Sequence, residues 1–283
     1  MPLTLWVAQT QETNAQACQQ QLLQQGIESN LQVVEAINPK FLRQHPELAL
    51  VLDDHGLHLA ATGMKMQPDW IGQLARLKRA SHKNELLARA CQTEQQPILI
   101  DATAGLGHDG LLLAWLGAKV TLIERHPVLF SLLQDSFQRA IQYPELMPVM
   151  QRIQLVHADA RVYLQQLQQQ DEQTDQRVDV IYLDPMFPKG GHKDQKKQAL
   201  VKKEMQVLHQ LLPEHGAMDL GEYLLPLAQQ LAGRVIVKRP RHAPTLTDSK
   251  PQHQWLGDAC RFDGYFQSAR MQIPEQNTGL LPE

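Results

Sequence analysis

Cysteine is scarce. Three occur in 283 residues, Cys18, Cys91 and Cys260, far apart and without paired spacing. That excludes a disulfide framework or a two-cysteine metal knuckle, and a reducing, cytoplasmic setting is expected. Long apolar runs are also missing. No stretch approaches the ~20 apolar residues of a membrane span, and Met1 to Trp6 lacks the basic start and apolar run of a targeting segment. A soluble protein with no membrane partner is expected. Charge of one sign is absent as well: 27 Lys and Arg face 30 Asp and Glu, for a formal net charge of −3. Any attraction to a polyanion must therefore come from clustered bases. The histidines make no metal case, since His55 and His58 stand in a turn without the third ligand of a zinc site. They are expected at the surface, with no metal. Internal repeats are lacking, and the glutamine clusters at 19–25 and 165–170 read as solvent faces of helices.

What is present is enough for a buried core: 43% of the residues are apolar. Two extended segments precede residue 70, Leu3 to Ala8 and the alternating Leu48 to Leu59, the latter broken by Asp53-Asp54-His55-Gly56. A glutamine-rich helix, Glu12 to Gln25, lies between them. The pattern predicts a small N-terminal α/β appendage over residues 1–70. From residue 97 short apolar runs alternate with helical stretches: Ile98 to Ile100, Val120 to Ile123, Ile153 to Val156, Val178 to Leu183 and Val235 to Val237. Such alternation implies crossover units and a parallel sheet covered on both faces. The fold class expected over residues 71–283 is therefore a doubly wound, Rossmann-like α/β core, with Arg261 to Phe266 as a weak late strand.

Asp101-Ala-Thr-Ala-Gly-Leu-Gly107 follows the first buried strand and precedes a helix, the place where a nucleotide-type cofactor lies in a doubly wound sheet. Gly105 and Gly107 permit torsions and a close approach that a Cβ would block. Glu124 ends the next strand, where an acid can accept two ribose hydroxyls, with Arg125 beside it. The string Gly105-x-Gly107-x-x-Gly110 satisfies a dinucleotide fingerprint equally well, so a nicotinamide-dependent oxidoreductase stays open at this point. His108 and Asp109 open the helix, as first-turn residues or as contacts to a cofactor. Asp159, after the third strand and before Ala160, suits either an adenine amino group or a helix N-cap.

The fourth strand ends in Asp184-Pro185-Met186-Phe187-Pro188. Two prolines stop the ladder and force a rigid turn at the carboxyl edge of the sheet. An acid, a backbone carbonyl and an aromatic face meet there. An exocyclic nucleobase amine is a poor nucleophile, because its lone pair is delocalised into the ring. Asp184 and the Pro185 carbonyl can accept its N–H groups and favour the geometry of attack on a methyl group, while Phe187 stacks on a flipped base. The turn suits any planar amine, including adenine, cytosine or a protein amide.

These motifs, with Leu122-Ile-Glu-Arg-His-Pro127, Ala199-Leu-Val-Lys-Lys-Glu-Met205 and Val235-Ile-Val-Lys-Arg-Pro240, resemble the ribosomal RNA small subunit methyltransferase J family over about residues 70–266. The resemblance is thin over the first 60. It implies a class I methyltransferase core that uses S-adenosylmethionine to methylate guanine N2 in small-subunit ribosomal RNA, free or in the assembled small subunit. Asp101, Gly105, Gly107, His108, Asp109, Glu124, Arg125, Asp159, Ala160 and Asp184 are then the expected cofactor contacts, and Asp184, Pro185 and Phe187 the catalytic turn. Met186 stands where amino-group methyltransferases usually have a second proline, a variation the family shares. His108 departs from an arginine frequent in the family, which makes that charge titratable.

Three basic stretches are candidates for RNA. Lys189, Lys193, Lys196, Lys197, Lys202 and Lys203 follow the catalytic turn, against the single acid Asp194. Arg76, Lys78, Arg79 and Lys83 precede the core. Lys238 and Arg239, with Arg241 and His242, follow the fifth strand. Such clusters hold phosphates and predict strong salt dependence, although a charge run is also an ordinary solvated helix face. A non-catalytic RNA-binding module is the remaining alternative.

Overall fold

The computed structural model describes residues 2–171, 178–185, 207, 210–211 and 222–267. They form two sheets. The first has the order β2-β1-β3-β4-β5. Strand β1 (Leu3–Ala8) lies parallel to β2 (Ser29–Val34), reached through helix α1 (Glu12–Gln24), and parallel to β3 (Ala49–Asp53) on its other side. The hairpin at Asp53–Gly56 turns β3 into antiparallel β4 (Gly56–Ala61), which pairs with β5 (Met64–Met66). Helix α2 (Pro39–Gln44) starts where Asn38 accepts the N–H of Lys40 and Phe41, with Pro39 at its first position. The strands β2 and β5 were not expected from sequence; β2 is too polar and β5 too short to show a period.

The second sheet has the order β11-β12-β10-β9-β6-β7-β8. Its parallel members are β6 (Ile98–Asp101), β7 (Lys119–Glu124), β8 (Ile153–His157), β9 (Val178–Leu183) and β10 (Ala232–Pro240). Strand β12 (Cys260–Phe266) runs antiparallel to β10, and β11 (His253–Leu256) antiparallel to β12. Because β6 has β7 on one side and β9 on the other, the winding direction reverses there. A crevice opens at such a switch point, outside the carboxyl ends of the strands.

Side-chain alternation explains why these strands read as continuous apolar runs. Leu99, Leu122, Tyr182 and Ile236 enter a core under helix α5 (His108–Trp115), shared with Leu111, Leu112 and Leu113. Their neighbours Ile100, Ile123, Ile181, Leu183, Val235 and Val237 enter the opposite core. That second core is covered by Leu164 of helix α8 (Ala160–Asp171) and Leu225 of helix α9 (Leu224–Leu231). Both faces are buried, as in parallel sheets generally.

Helix α6 (Pro127–Ile141) joins the two sheets. Leu133 and Ala140 belong to the first core, while Val128, Leu129 and Leu132 pack with Leu5, Val7, Leu50, Leu57 and Leu59 of the small sheet. The Leu57 N–H donates to Asp135 of the same helix at 3.1 Å. The segment between the sheets, carrying the short helices α3 (Leu74–Leu77) and α4 (Leu86–Ala90), also packs on the core. Trp70 is fully buried there.

Candidate active site

The glycine loop leaves β6 by two ladder-like bonds: the Ala102 N–H donates to Tyr182 O and the Ala104 N–H to Ile123 O, each at 3.0 Å. Gly105 and Gly107 have φ of 54° and 70°, the left-handed region that glycine occupies without strain. Their surroundings differ. A Cβ on Gly107 would lie 2.6 Å from Leu133 and 2.8 Å from the Trp70 ring, and one on Gly110 2.2 Å from Leu122. These two glycines serve close packing. A Cβ on Gly105 would meet only the Thr103 carbonyl, at 4.0 Å, so this residue faces open space. Trp70 braces the loop from below, its Nε1–H donating to Leu106 O at 3.0 Å.

Beside the loop lies a cavity of about 690 Å³ at the switch point, within the usual range of small-ligand sites, ~300–1,000 Å³. Asp101, Gly105, Gly107, His108, Asp109 and Asp184 all line it, so six of the expected cofactor contacts share one wall. Asp101 ends β6 and accepts the Thr103 N–H at 3.1 Å. Burial, with the charges of Asp109 and Asp184, pushes its carboxyl up to about 8. The Asp184 N–H donates to Thr103 Oγ1 at 2.6 Å, which ties the end of β9 to the loop.

Lys238 was expected among the RNA-binding bases after the fifth strand, and the structure places it in the cavity. Strand β10 runs on to Pro240, and its alternation turns Lys238 into the cavity. Its Nζ donates to Asp109 Oδ2 at 2.7 Å and to Asp184 Oδ2 at 2.8 Å. Tyr182 donates its hydroxyl to the same Asp109 oxygen at 2.7 Å. The three charged side chains stay 24–35% accessible, because they line the cavity rather than the core. Burial alone would raise the Asp109 carboxyl, but the charge and hydrogen bond of Lys238 outweigh it and hold it low. Asp184 goes the other way: burial and the neighbouring Asp109 raise it, against Lys238. Arg239, also expected to meet RNA, is corrected too. It points to the opposite face, 5% exposed, with Nε donating to Pro244 O at 2.9 Å.

The remaining expected contacts form a second group around the loop. Glu124, 8% exposed, accepts the Gly105 N–H on Oε2 at 2.9 Å and the His126 N–H on Oε1 at 2.7 Å. It clamps the glycine loop from behind, and burial raises its carboxyl against those bonds. Arg125 reaches Asp159 at 3.9 Å across the ends of β7 and β8. Asp159 caps α8, accepting the Arg161 N–H at 2.8 Å, and Ala160 is buried behind it. Of the earlier basic stretch, Arg76 lines the cavity, Arg79 and Lys83 are exposed, and Lys78 pairs with Glu145 at 2.5 Å. Phe187, Lys189, Lys193, Lys196, Lys197, Lys202 and Lys203 lie outside the described residues.

Tyr182, Thr103 and Trp70 were not singled out from sequence. A signal for Tyr182 exists, since a tyrosine in an otherwise aliphatic buried strand needs a partner for its hydroxyl. The histidine expectation is half corrected: His55 is exposed, but His58 is 4% exposed and donates to Asp53 at 2.9 Å. Among the described residues no cluster of three or more His, Cys, Asp or Glu could hold a metal ion, and no helix is long and apolar enough to cross a membrane.

Comparison with known proteins agrees with this geometry. Residues 32–267 match the family model described as "Putative SAM-dependent methyltransferase". The chain is 58% identical to the ribosomal RNA small subunit methyltransferase J of Acinetobacter baylyi over 94% of its own length and 98% of that protein. It is 39% identical to the protein of the same name from Psychrobacter arcticus, over 90% and 93%. The crystal structure of a SAM-dependent methyltransferase from Neisseria gonorrhoeae superposes with a TM-score of 0.65 at 29% identity, covering 93% of this chain and 95% of that one. The likeness reaches well into the N-terminal sheet, further than the motifs alone suggested. With its glycine loop, switch-point cavity and Asp184 turn, the chain belongs to the ribosomal RNA small subunit methyltransferase J family of S-adenosylmethionine-dependent methyltransferases.

Proposed function

We propose that this protein methylates the exocyclic N2 amine of a guanine in small-subunit (16S) ribosomal RNA, with S-adenosylmethionine as methyl donor. The observation that carries the reading is Asp184, placed at the end of β9 with its carboxylate facing the cavity and buried Pro185 directly after it. Both residues bring acceptors to the point where an amine must be held. Likeness to the ribosomal RNA small subunit methyltransferase J of Acinetobacter baylyi supports ribosomal RNA as the acceptor.

The cavity fits the cofactor. Gly105 leaves backbone bare for a close approach, and five acids, Glu85, Asp101, Asp109, Asp184 and Asp258, line the cavity against the bases Arg76 and Lys238, an excess of acid suited to a cation. Bound S-adenosylmethionine supplies an electrophilic methyl carbon on a positively charged sulfur. Asp109 and Asp184 favour that charge, and Glu124 with Arg125 and Asp159 offers the polar edge for the nucleoside half. Asp184 and the Pro185 carbonyl accept the N–H groups of the amine and aim its lone pair. Asp184 would also take up the proton the amine gives up as its nitrogen bonds the methyl carbon, whose bond to sulfur breaks to leave S-adenosylhomocysteine. Arg76, Arg79 and Lys83 supply phosphate contacts from the N-terminal side, so binding weakens steeply with salt.

The test is incubation of unmodified 16S RNA, free and assembled into small subunits, with methyl-labelled cofactor, followed by mass spectrometry of the nucleosides. One N2-methylguanosine per RNA is expected. Label in adenine, cytosine or protein, or none at all, would replace this reading.

A further inference from the structure

We infer that Lys238 is a positioning residue of the methyl transfer, which holds Asp184 in place as an ionised acceptor for the incoming amine. The inference rests on the reading of Asp184 as the amine acceptor. In the sheet, Val237 of β10 pairs with Leu183 of β9. Lys238 therefore stands level with Asp184 just past the end of the ladder. Its ammonium bonds one carboxylate oxygen of Asp184 and one of Asp109, at 2.8 and 2.7 Å. Among the described residues, Asp184 Oδ1 has no such partner and stays available to the cavity. The Thr103 hydroxyl fixes the backbone of the same residue. Among the described residues, Asp184 is thus held at two points, by Lys238 and by Thr103, and Oδ1 is left to accept an N–H.

The charges around it explain why the holding group must be a cation. Lining the cavity with Asp184 are Asp101 at the end of β6, His108 and Asp109 on α5, Tyr182 on its own strand, Asp258 just before β12 and Cys260 at its start, Arg76 on α3 and Glu85 just before α4. Three carboxylates in one half-buried wall cannot all stay ionised unaided, since like charges at short range favour protonation. Burial and Asp109 raise the Asp184 carboxyl, and Lys238 is the group that opposes them. A protonated Asp184 would present an O–H donor toward an amine that also donates. It could neither orient the lone pair nor take up the proton. Lys238 itself stays charged, because both acids raise its ammonium, so it cannot serve as the base.

The experiment is the pH profile of kcat on small-subunit RNA for wild type, Lys238→Met, Lys238→Gln and Lys238→Arg. Removal of the charge raises the Asp184 carboxyl further, so the acid limb moves to higher pH. Lys238→Met and Lys238→Gln are expected to lose on the order of 10²-fold in kcat near neutrality. Their acid limb should move up by about one unit or more, and the deficit should shrink as pH rises. Lys238→Arg should restore the limb to within a few tenths of a unit. Calorimetric titration with S-adenosylhomocysteine checks that each variant keeps its site, with affinity within about threefold. If Lys238→Met does not bind it, the smaller Lys238→Gln carries the test.

An equal loss at every pH, or unchanged activity in both neutral variants, would overturn the inference. Infrared titration of the protonated-carboxyl band without RNA gives an independent reading. The part of the band that Asp184→Asn removes, as distinct from the parts due to Asp101 and Glu124, should persist to higher pH in the neutral variants; if that part does not move, the inference is overturned. Should wild type place no label in guanine, the proposed function fails while the infrared result still decides the role of Lys238.

Discussion

Two partly buried carboxylates of this protein sit in opposite electrostatic settings. Asp53, in the small sheet, has three donors to itself: His58 and the His55 N–H donate to Oδ1, each at 2.9 Å, and Lys65 donates to Oδ2. Burial would raise its carboxyl, yet those bonds win and hold it well below the usual carboxylate range. Asp184 shares one lysine with Asp109, beside Asp101, and stays above its ordinary value. The first network is satisfied from within the chain, as buried polar groups in a scaffold must be. The second has more acid than base and opens onto a cavity. An unbalanced network of this kind persists where a ligand completes it, and here the deficit is one of positive charge.

The contrast is broken most severely by exchanging the two sites' consequences. Asp184→Ala should lower kcat by ~10²–10³-fold or more while leaving the melting temperature within a few degrees. Asp53→Ala should do the reverse. It strands Lys65 and His58 and should cost about 2–3 kcal/mol, or about 4–10 °C in melting temperature, with kcat within twofold. Kinetics and thermal melts on both variants decide this.

A smaller effect sharpens the contrast through pH. The stabilisation from Asp53 is full above the unfolded carboxylate value of about 4, and is lost as pH falls through its depressed folded value. Asp101, pushed up to about 8, has the opposite sign. Its folded form binds the extra proton, so stability declines as pH rises from about 4 toward 8. Asp101→Asn keeps an acceptor for the Thr103 N–H but cannot ionise. Melting curves of this variant should therefore fall less than wild type between pH 5 and 8, while Asp53→Asn should flatten the curve only at acid pH.

The smallest effect concerns the surface. Lys78 and Glu145 are each about half exposed, so Lys78→Ala should change stability by less than about 0.5 kcal/mol. Lys83→Ala, which removes one of the proposed phosphate contacts, should lessen the salt slope of RNA binding by about one. Filter binding across a salt series measures it.

Much of the core was legible because its strands are buried on both faces. Ile98 to Ile100, Val120 to Ile123 and Val178 to Leu183 each became a strand within a residue or two of the expected ends. Gly105, Asp109 and Asp184 were legible as a site, because a strand followed by glycines or prolines has few possible shapes. Lys238 was not. A lysine at the end of an apolar run reads as the first residue of a loop, and only the register of β10 on β9 shows it turned inward. The same holds for Trp70, whose role under the glycine loop depends on contacts across more than thirty residues of sequence. His58 was misplaced because its partner Asp53, which also holds Lys65, meets it only through the pairing of β3 and β4. The small sheet was half hidden, since β2 has no fully buried position to mark it.

The most direct measurement is calorimetric titration of S-adenosylmethionine into wild type, Asp53→Asn and Asp109→Asn. If the unbalanced acids of the cavity hold the cationic cofactor, wild type and Asp53→Asn bind one equivalent with equal affinity, and Asp109→Asn binds about tenfold or more weakly. Equal binding by all three proteins, or tight binding of NADH in place of S-adenosylmethionine, would contradict it.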